Sequence, residues 1–226
     1  MYFPTYHFVK FFDKPQEILN FALQQEYFRP EGAKWPGART RGFNEINPEL
    51  SQYIGNKILK SIYGRYREDK TNSFSFESNS YFQLIRADDI KNDSDLGWIH
   101  ADDSIMLTSI IYLSPDLQNS GTSIYQSKAD YMLPHRKKEI TYRLSQDENL
   151  IDEYKKAQEF SNSRFTKIAE FKPLYNSCLC FDGGMYHGQD WSEEDRQKDR
   201  LTINTFFKEI RAPYFPYSEL DRFFEL

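Results

Sequence analysis

The hydrophobic pattern of the chain is helical over roughly the first 70 positions and extended afterwards. Asp13 is predicted to cap a helix, because Pro15 lies in the first turn and Gln16 follows three residues later at capping-box spacing. A second helix is predicted to begin after Asn47 and to end at Gly64. The apolar residues at helical intervals are Ile18, Leu19, Ala22, Leu23 and Tyr27 in the first helix, and Leu50, Ile54, Ile58 and Ile62 in the second.

Beyond about position 74 the chain has short runs of aromatic and β-branched residues, bounded by Gly, Pro, Asp, Asn or Ser. These predict strands at residues 81–87, 105–113, 122–126, 174–182 and 200–208. Residues 146–165 are charged and helix-prone, so an inserted helix is predicted there, since a structureless loop of that length is unusual. The class is therefore α+β. Hairpin-like spacing favours a double-sheet jelly roll over a parallel sheet, and no glycine-rich phosphate fingerprint indicates a nucleotide-binding fold.

The length of 226 residues fits one domain, because a single hydrophobic core stops growing only at about 250–300 residues. The mean hydropathy of -0.76 is low, but aromatic residues make up 17% of the chain and supply a core. We predict a single domain over residues 1–226. It has an N-terminal helical elaboration at 1–73, a strand core at 74–211 and a C-terminal tail at 212–226.

Charge and hydropathy disfavour several classes of protein. There are 29 Lys and Arg against 34 Asp and Glu, a net charge of -5, so a nucleic-acid partner is disfavoured. The longest nearly apolar run, residues 105–113, is too short for a membrane span. The N-terminus lacks the basic flank and apolar segment of an export signal, which predicts a cytoplasmic protein. Cys178 and Cys180 lie two apart in a strand and are predicted to be buried thiols.

Two of the four histidines lie next to predicted strands, where they can carry chemistry. Residues i and i+2 of an extended chain point to the same side, so His100 and Asp102 present an imidazole and a carboxylate together. His187, after another strand, would complete two histidines and one carboxylate, the ligand set of non-haem Fe(II) oxygenases. A His-x-Asp pair alone also fits an ordinary surface pair. His7 and His135 have no partner at ligand spacing, and we expect surface or structural roles for them.

An arginine and a hydroxyl share one face of the last predicted strand. Arg200, Thr202 and Asn204 alternate with apolar neighbours, so a guanidinium fork and a hydroxyl can bind one carboxylate together. Taken alone, an arginine at the start of a strand also fits a solvated side chain.

Taken together, His100-x-Asp102, the distant His187 and Arg200-x-Thr202 resemble the 2-oxoglutarate- and Fe(II)-dependent dioxygenase superfamily, over roughly residues 78–210. Residues 81–86 resemble the strand leading to the first ligand in prolyl-hydroxylase-like members, and residues 110–114 with 121–123 resemble the next strand and hairpin. Residues 35–40 and 200–202 also resemble an uncharacterised bacterial and phage group of that superfamily.

The resemblance implies a double-stranded β-helix, a cupin-like jelly roll, with the N-terminal helices packed on one sheet. It implies that His100, Asp102 and His187 bind iron, and that Arg200, helped by Thr202 or Asn204, binds the distal carboxylate of 2-oxoglutarate. Tyr112 matches a tyrosine that reaches the same carboxylate. The implied reaction hydroxylates a C–H bond of a small-molecule or peptide substrate with dioxygen, releasing succinate and CO₂.

Two other functions stay open at this point: a metal-binding jelly roll without 2-oxoglutarate turnover, and a non-catalytic binding module on the same fold. Ala87 stands where relatives often have a tyrosine, and residues 88–96 form a polar insertion, so substrate specificity is in doubt. Arg39 could meet an acidic substrate group or form a structural salt bridge. Trp98 and Trp191 could wall the pocket or pack in the core. Asp182 and Asp190 are candidate acceptors for a ligand imidazole N–H.

Overall fold

The structure is a computed structural model and describes residues 3–30, 35–63, 75–89, 97–128, 148–195 and 197–212. Within these residues there are four α-helices and nine strands. The helices are α1 (Pro15–Leu23), α2 (Phe43–Ile46), α3 (Pro48–Ile62) and α4 (Ile151–Asn162). The strands are β1 (Tyr6–Phe8), β2 (Ala38–Arg39), β3 (Ser75–Ile85), β4 (Leu107–Tyr112), β5 (Thr122–Ser127), β6 (Phe165–Phe171), β7 (Ser177–Asp182), β8 (Tyr186–Gln189) and β9 (Arg200–Arg211).

The strands form two antiparallel sheets. One has six strands in the order β1-β7-β4-β9-β3-β2, and the other has three in the order β6-β5-β8. The long pair β3 and β9 runs in register from Ser75 opposite Arg211 to Ile85 opposite Arg200, with one irregularity between Glu77 and Ser78. The predicted α+β class is therefore confirmed, with antiparallel sheets.

The six-stranded sheet is covered on both faces. On one face, residues of β9 such as Leu201 and Ile203 join a core cluster with Ile54 and Ile58 of α3. On the other face, a second cluster joins both sheets, with Ile110, Tyr112, Leu179 and Phe181 from the larger sheet and Ile124 from β5. Because successive residues of a strand point to opposite faces, alternate side chains of β9 are directed towards the space between the sheets.

The predicted helix after Asn47 is confirmed. The Asn47 side chain accepts a hydrogen bond from the backbone N–H of Leu50 at 3.0 Å, and Pro48 occupies the first turn, where its missing N–H leaves no bond unmade. Ile54, Ile58 and Ile62 are buried as expected. The helix ends at Ile62, and Gly64 lies outside the described residues.

The predicted cap of the first helix is wrong. α1 begins at Pro15 as its position predicts, but the capping residue is Lys14, and no side chain caps the helix. The carboxylate of Asp13 is 89% exposed and lies 3.5 Å from Lys57 Nζ of α3. Asp13 therefore contacts Lys57 of α3 and does not cap α1.

Most predicted strand bounds differ from the observed ones at their ends. The strand predicted at 81–87 begins six residues earlier, at Ser75, because its ladder with β9 extends to Arg211. The strand predicted at 174–182 begins at Ser177. Before it, Asn176 adopts a positive φ of 58°, and its side chain exchanges two hydrogen bonds with the backbone of Phe12 at 2.7 and 2.8 Å. Residues 174–176 are therefore a turn that fastens the N-terminal segment.

Some of the remaining predictions concern described residues, and others concern residues outside the described ranges. Cys178 and Cys180 are buried and free, with their Sγ atoms 3.5 Å apart, and burial raises the pKa of the Cys180 thiol. The predicted insertion contains α4. His135, most of the insertion at 88–96 and nearly all of the tail at 212–226 lie outside the described residues, and the domain bounds stay a prediction. Across the described ranges, no helix combines the length and apolarity needed to span a bilayer.

Replacement of Phe82 tests the contact between the helices and the six-stranded sheet. Phe82 is fully buried, and its ring centroid lies 4.6 Å from that of Phe43 and 5.9 Å from that of Phe21. We expect Phe82→Ala to lower the free energy of unfolding by about 3–5 kcal/mol, measured by urea denaturation. Leu23→Ala, at a side chain that is 66% exposed, is the control and should change it by less than about 0.5 kcal/mol. Equal effects would contradict this packing.

Candidate metal centre

His100 and His187 are brought together by their backbones. The N–H of His100 donates to the carbonyl of His187 at 3.0 Å, and the N–H of His187 donates to the carbonyl of His100 at 2.8 Å. Residues directly opposite each other in an antiparallel pair project from the same face. The two imidazole rings accordingly lie with their centroids 4.4 Å apart.

Asp102 completes the group from a tight turn. Its backbone N–H donates to the carbonyl of Gly183 at 2.8 Å, and the chain then turns through Ser104, whose φ is +64°. Gly183 packs so closely here that a Cβ would lie 2.2 Å from the carbonyl oxygen of Ile105, so no larger residue fits. The turn directs the carboxylate of Asp102 towards both imidazoles.

The ligand atoms of the three residues converge. His100 Nε2 lies 3.7 Å from Asp102 Oδ1, and His187 Nε2 lies 3.6 Å from Asp102 Oδ2. All three ligand atoms lie within 4.8 Å of one another. The His187 side chain is 8% exposed and the His100 side chain is 41% exposed. The group is therefore reached from the His100 side.

The tautomer of each imidazole follows from its Nδ1 contact. His100 Nδ1 lies 2.8 Å from the carbonyl of Trp98, and His187 Nδ1 lies 3.0 Å from the carbonyl of Met185. A carbonyl only accepts, so Nδ1 carries a proton in both rings, and Nε2, on the Asp102 side, is the nitrogen left to bind a metal. The two rings are thus oriented as metal ligands usually are, with the second nitrogen bonded to a backbone carbonyl.

Neither predicted carboxylate accepts from these imidazoles. Asp182 accepts from the backbone N–H groups of Phe3 and Gly184, at 2.8 and 2.9 Å. Asp190 accepts from the hydroxyl of Ser123 at 2.5 Å and from Lys167 Nζ at 2.8 Å. The backbone carbonyls of Trp98 and Met185, two residues before each histidine, accept from the imidazoles instead. The pattern of residue types in the sequence does not reveal such backbone acceptors.

Thr108 orients the carboxylate of Asp102. Its hydroxyl donates to Asp102 Oδ2 at 2.6 Å, and the residue is 1% exposed at the second position of β4. Sequence reasoning missed it, although a hydroxyl residue inside a fully buried strand was the available signal. Two imidazole lone pairs and one fixed carboxylate form a donor set that suits a divalent first-row metal with open positions, Fe(II) among them.

Arg200 lies buried between the sheets, at 3% exposure. Its Nε donates to the carbonyl of Ser120 at 3.1 Å, and its Nη2 lies 3.5 Å from both the carbonyl of Gly121 and the hydroxyl of Thr122. The hydroxyl of Tyr112 donates to the same Thr122 oxygen at 2.8 Å. In the described part of the chain, no carboxylate forms an ion pair with this guanidinium.

Burial governs the protonation of both groups in this cluster. Burial lowers the pKa of Arg200, although the neighbouring Tyr112 and the charge of Asp190 oppose that shift. Burial likewise raises the pKa of Tyr112, against the field of Arg200. Arg200 is therefore a buried cation whose acceptors among the described residues are carbonyls and hydroxyls, and Tyr112 beside it stays a neutral phenol.

Thr202 and Asn204 share the inner face of β9 with Arg200 but contact other partners. The Thr202 hydroxyl donates to Asn204 Oδ1 at 3.0 Å, and Asn204 Nδ2 donates to Gln83 Oε1 at 2.6 Å. Gln83, which sequence reasoning missed, is buried in β3 between two apolar residues. These bonds tie Thr202 and Asn204 to β3. Their roles in binding the cosubstrate stay predictions, as do the roles of Arg200 and Tyr112.

Asp195 fixes the loop whose carbonyls receive Arg200. Its carboxylate accepts hydrogen bonds at 2.9–3.2 Å from the backbone N–H groups of Gln118, Asn119 and Ser120 and from Lys198 Nζ. Burial alone would raise the pKa of Asp195, but these hydrogen bonds hold it well below the usual carboxyl range. Asp195 therefore supports Arg200 through the loop, without contact with it.

Trp98 and Trp191 line a different cavity, of about 600 Å³. Its other lining residues include Ile99 and Gly188, the neighbours of His100 and His187. Trp98 Nε1 donates to the hydroxyl of Tyr154 at 2.7 Å. The suggestion that these tryptophans wall the iron pocket stays a prediction.

Comparisons with known proteins identify a family and distant structural neighbours. A family model described as "Family of unknown function (DUF6445)" matches residues 5–207. No curated protein matches the chain.

Solved structures from several organisms are also similar to this chain. HygX from Streptomyces hygroscopicus, with nickel, 2-oxoglutarate and hygromycin B bound, has 13% identity and TM-score 0.49, covering 93% of this chain and 83% of that one. A prolyl hydroxylase from Trichoplax adhaerens, in complex with a hypoxia inducible factor peptide fragment, has 11% identity and TM-score 0.46, covering 90% and 82%. An oxidoreductase of the 2OG-Fe(II) oxygenase family from Burkholderia pseudomallei has 9% identity and TM-score 0.43, covering 93% and 86%. At these scores, the chemistry of the site has to be inferred from its own residues.

Replacement of Thr108 tests the metal centre without any assay of activity. Thr108→Val removes the bond to Asp102 Oδ2 while keeping the side-chain volume, so we expect the affinity for Co(II) to fall by about 10–100-fold, measured by isothermal titration calorimetry. Thr108→Ser keeps the hydroxyl and should retain most of the affinity. If Asp102→Ala binds Co(II) as tightly as the unaltered protein, the group is not the metal site.

Replacement of Asp195 tests the loop and has a defined pH dependence. A depressed folded-state pKa stabilises the protein above the unfolded value of about 3.9, and this contribution is lost as pH falls through the folded-state pKa. Asp195→Asn should therefore lower the free energy of unfolding by roughly 1.5–3 kcal/mol at pH 7, with a difference that shrinks below about pH 4. The control is Glu159→Gln, at an exposed position of α4. A difference that is independent of pH would refute this role.

Proposed function

We propose that this chain, which belongs to the DUF6445 family of unknown function, is an Fe(II)- and 2-oxoglutarate-dependent oxygenase that hydroxylates a C–H bond. One observation carries the proposal: two imidazole nitrogens and a carboxylate meet at one point of a fold that also buries an arginine, and this arginine forms no ion pair with a carboxylate of the described residues. The donor set suits the metal, and the unpaired cation suits a dianionic cosubstrate.

The proposed architecture is a double-stranded β-helix. Two antiparallel sheets share a core cluster, and the bridge between His100 and His187 extends the smaller sheet beyond β8. We assign residues 74–211 to this jelly roll and residues 1–73 to a helical elaboration on the larger sheet. The metal ligands then lie at the edge of the smaller sheet, open on the His100 side.

His100, Asp102 and His187 would hold the iron. Their orientation is set before any metal binds, because backbone carbonyls fix both rings and Thr108 fixes the carboxylate. Each Nδ1–H would stay hydrogen-bonded to its carbonyl and each Nε2 would bind the metal, so neither imidazole would serve as an acid or base. When bound, Fe(II) with 2-oxoglutarate supplies oxidative decarboxylation to succinate and CO₂, coupled to hydroxylation of the substrate by dioxygen.

Arg200 would bind the distal carboxylate of 2-oxoglutarate. Burying a charge without a partner is costly, and an anionic ligand would relieve that cost. A guanidinium can bind both carboxylate oxygens at once, and Tyr112 lies with its ring centroid 5.5 Å from the Arg200 guanidinium carbon. Thr202 and Asn204 line the same face of β9, where they would limit how the cosubstrate lies.

The protein would also keep water away from the reacting groups. The Phe181 ring lies 4.7 Å from the His187 ring, and Ile110, Ile124 and Leu179 fill the space between the sheets. In such a dry site, the charge of Arg200 acts more strongly on an anion than it would in water.

A metal-binding jelly roll without 2-oxoglutarate turnover is the second candidate. The hydrogen bonds of Arg200 to the carbonyls of Ser120 and Gly121 favour it, because they would also suit an arginine that only braces a loop. The two functions differ in whether Arg200 is needed for binding of 2-oxoglutarate or for stability alone.

Anaerobic titration distinguishes them. Fe(II) and 2-oxoglutarate added to the native protein should give the weak visible charge-transfer band of the chelate. Arg200→Gln should raise the 2-oxoglutarate concentration for half-saturation by roughly 10–100-fold, the effect of losing a charge-assisted bond, with little change in Fe(II) affinity. The matched control is Arg211→Gln, at an exposed position of the same strand. A colourless mixture with native protein, or equal half-saturation in Arg200→Gln, would contradict the proposal.

A further inference from the structure

Arg39, like Arg200, forms no ion pair with a carboxylate of the described residues. Its Nε donates to Gln83 Oε1 at 3.0 Å, and its guanidinium carbon lies 4.3 Å from the centre of the Trp35 ring. The salt bridge that the sequence left open for Arg39 does not form with any residue in the described ranges. Its two Nη groups have no acceptor there either, yet they are not sealed in the interior.

The local backbone is built to place this side chain. Gly37 has a φ of +70°, and a Cβ there would lie 2.2 Å from the carbonyl oxygen of Leu84, so the turn packs directly on β3. Arg39 then pairs with Gln83 across the sheet. Gln83 Nε2 donates to the carbonyl of Pro36 at 2.9 Å, which fixes the amide with its oxygen towards the arginine.

The surroundings of Arg39 are aromatic and poorly hydrated. The Tyr81 and Phe206 rings lie 6.0 and 5.7 Å from its guanidinium carbon. The Nε1–H of Trp35 is buried without an acceptor among the described residues. Burial lowers the pKa of Arg39 to about 10, opposed by the charges of Asp102 and Tyr81, so the group stays charged at neutral pH. Gln83 Oε1 accepts from both Arg39 Nε and Asn204 Nδ2. Because Asn204 shares the inner face of β9 with Arg200, Arg39 lies on the metal-centre side of the sheet.

We propose that Arg39, stacked on Trp35 and fixed by Gln83, binds an anionic group, a carboxylate or a phosphate, of the substrate of this site. The inference rests on the proposed function only in assigning that anion to the oxygenase substrate. The two Nη groups offer a planar fork that matches either oxyanion, and stacking on an aromatic ring removes water from the guanidinium without neutralising it.

Two alternative roles of Arg39 predict different experimental results. If it only offset the charge of Asp102, its replacement would change metal affinity and leave anion binding intact. If it bound the cosubstrate carboxylate in place of Arg200, 2-oxoglutarate would displace other anions from it.

The test uses benzoate, benzamide and phenyl phosphate as probes of the metal-free protein. The Arg39 Nε–H is hydrogen-bonded, so its ¹⁵N-guanidinium signal should be observable, and it is identified by its absence in Arg39→Gln. We expect benzoate or phenyl phosphate to shift this signal saturably, and the isosteric neutral benzamide to leave it in place. Which of the two shifts it more strongly identifies a carboxylate or a phosphate as the preferred group.

Ligand-observed titrations in an Arg200→Gln background, which removes the arginine proposed to bind 2-oxoglutarate, then quantify the effect. Arg39→Gln should weaken anion binding by roughly 10–100-fold with Co(II) affinity unchanged, and Arg39→Lys should retain part of it. Arg41→Gln, at an exposed position two residues later, is the control and should bind as before. Unchanged anion binding in Arg39→Gln, or an Arg39 signal that no anion shifts, would overturn the inference.

A last arm adds Co(II) and 2-oxoglutarate to the unaltered protein. Continued binding of the anion at Arg39 supports a substrate position separate from the cosubstrate, and displacement by 2-oxoglutarate overturns it. Because the anion titrations of the first two arms need neither metal nor 2-oxoglutarate, failure of the oxygenase proposal would leave their result unaffected, and the two failures can be told apart.

Discussion

The two-bond backbone bridge between His100 and His187 is the constraint on which the site depends. It joins a segment just before β4 to the strand β8, far along the chain, and aligns both imidazoles on one face. Each ring is then oriented by a carbonyl two residues earlier in its own segment. Because extended backbone sets both the direction of the ring and the position of that carbonyl, the same local geometry provides the ligand and its support.

The second feature of the site is electrostatic. Arg39 and Arg200 enter the interior from different strands, and neither forms an ion pair with a described carboxylate. Because buried charges in proteins are normally paired, we propose that these two guanidinium groups receive anions. Their supports differ: loop carbonyls fixed by Asp195 surround Arg200, whereas Gln83 and Trp35 position Arg39. The two positions can therefore be altered separately.

Sequence patterns predicted the parts of the fold that are local in origin. The helix α3 could be predicted from its own apolar period and from Asn47 and Pro48 at its start, without knowledge of its neighbours. The buried strands β4 and β7 were visible as apolar runs. The strands β1, β2, β6 and β8 were not predicted, because they are short or polar and exist through pairing with distant strands. The cap at Asp13 failed for a related reason, since Lys57 of another helix attracts its side chain.

Within the site, residue types and order indicated the three ligand residues and Arg200. The supporting residues Thr108, Gln83 and Asp195 were missed, because their roles come from contacts between segments far apart in the chain.

Among the four histidines of the chain, the metal should select two, and ¹⁵N-histidine NMR of the Co(II)-loaded protein measures that choice directly. The account predicts strongly shifted signals from His100 and His187 alone, with both Nδ1–H protons retained because the carbonyls of Trp98 and Met185 hold them. Shifts at only one of these rings, or equal shifts at His7 or His135, would contradict a single metal centre built by the bridged pair and Asp102.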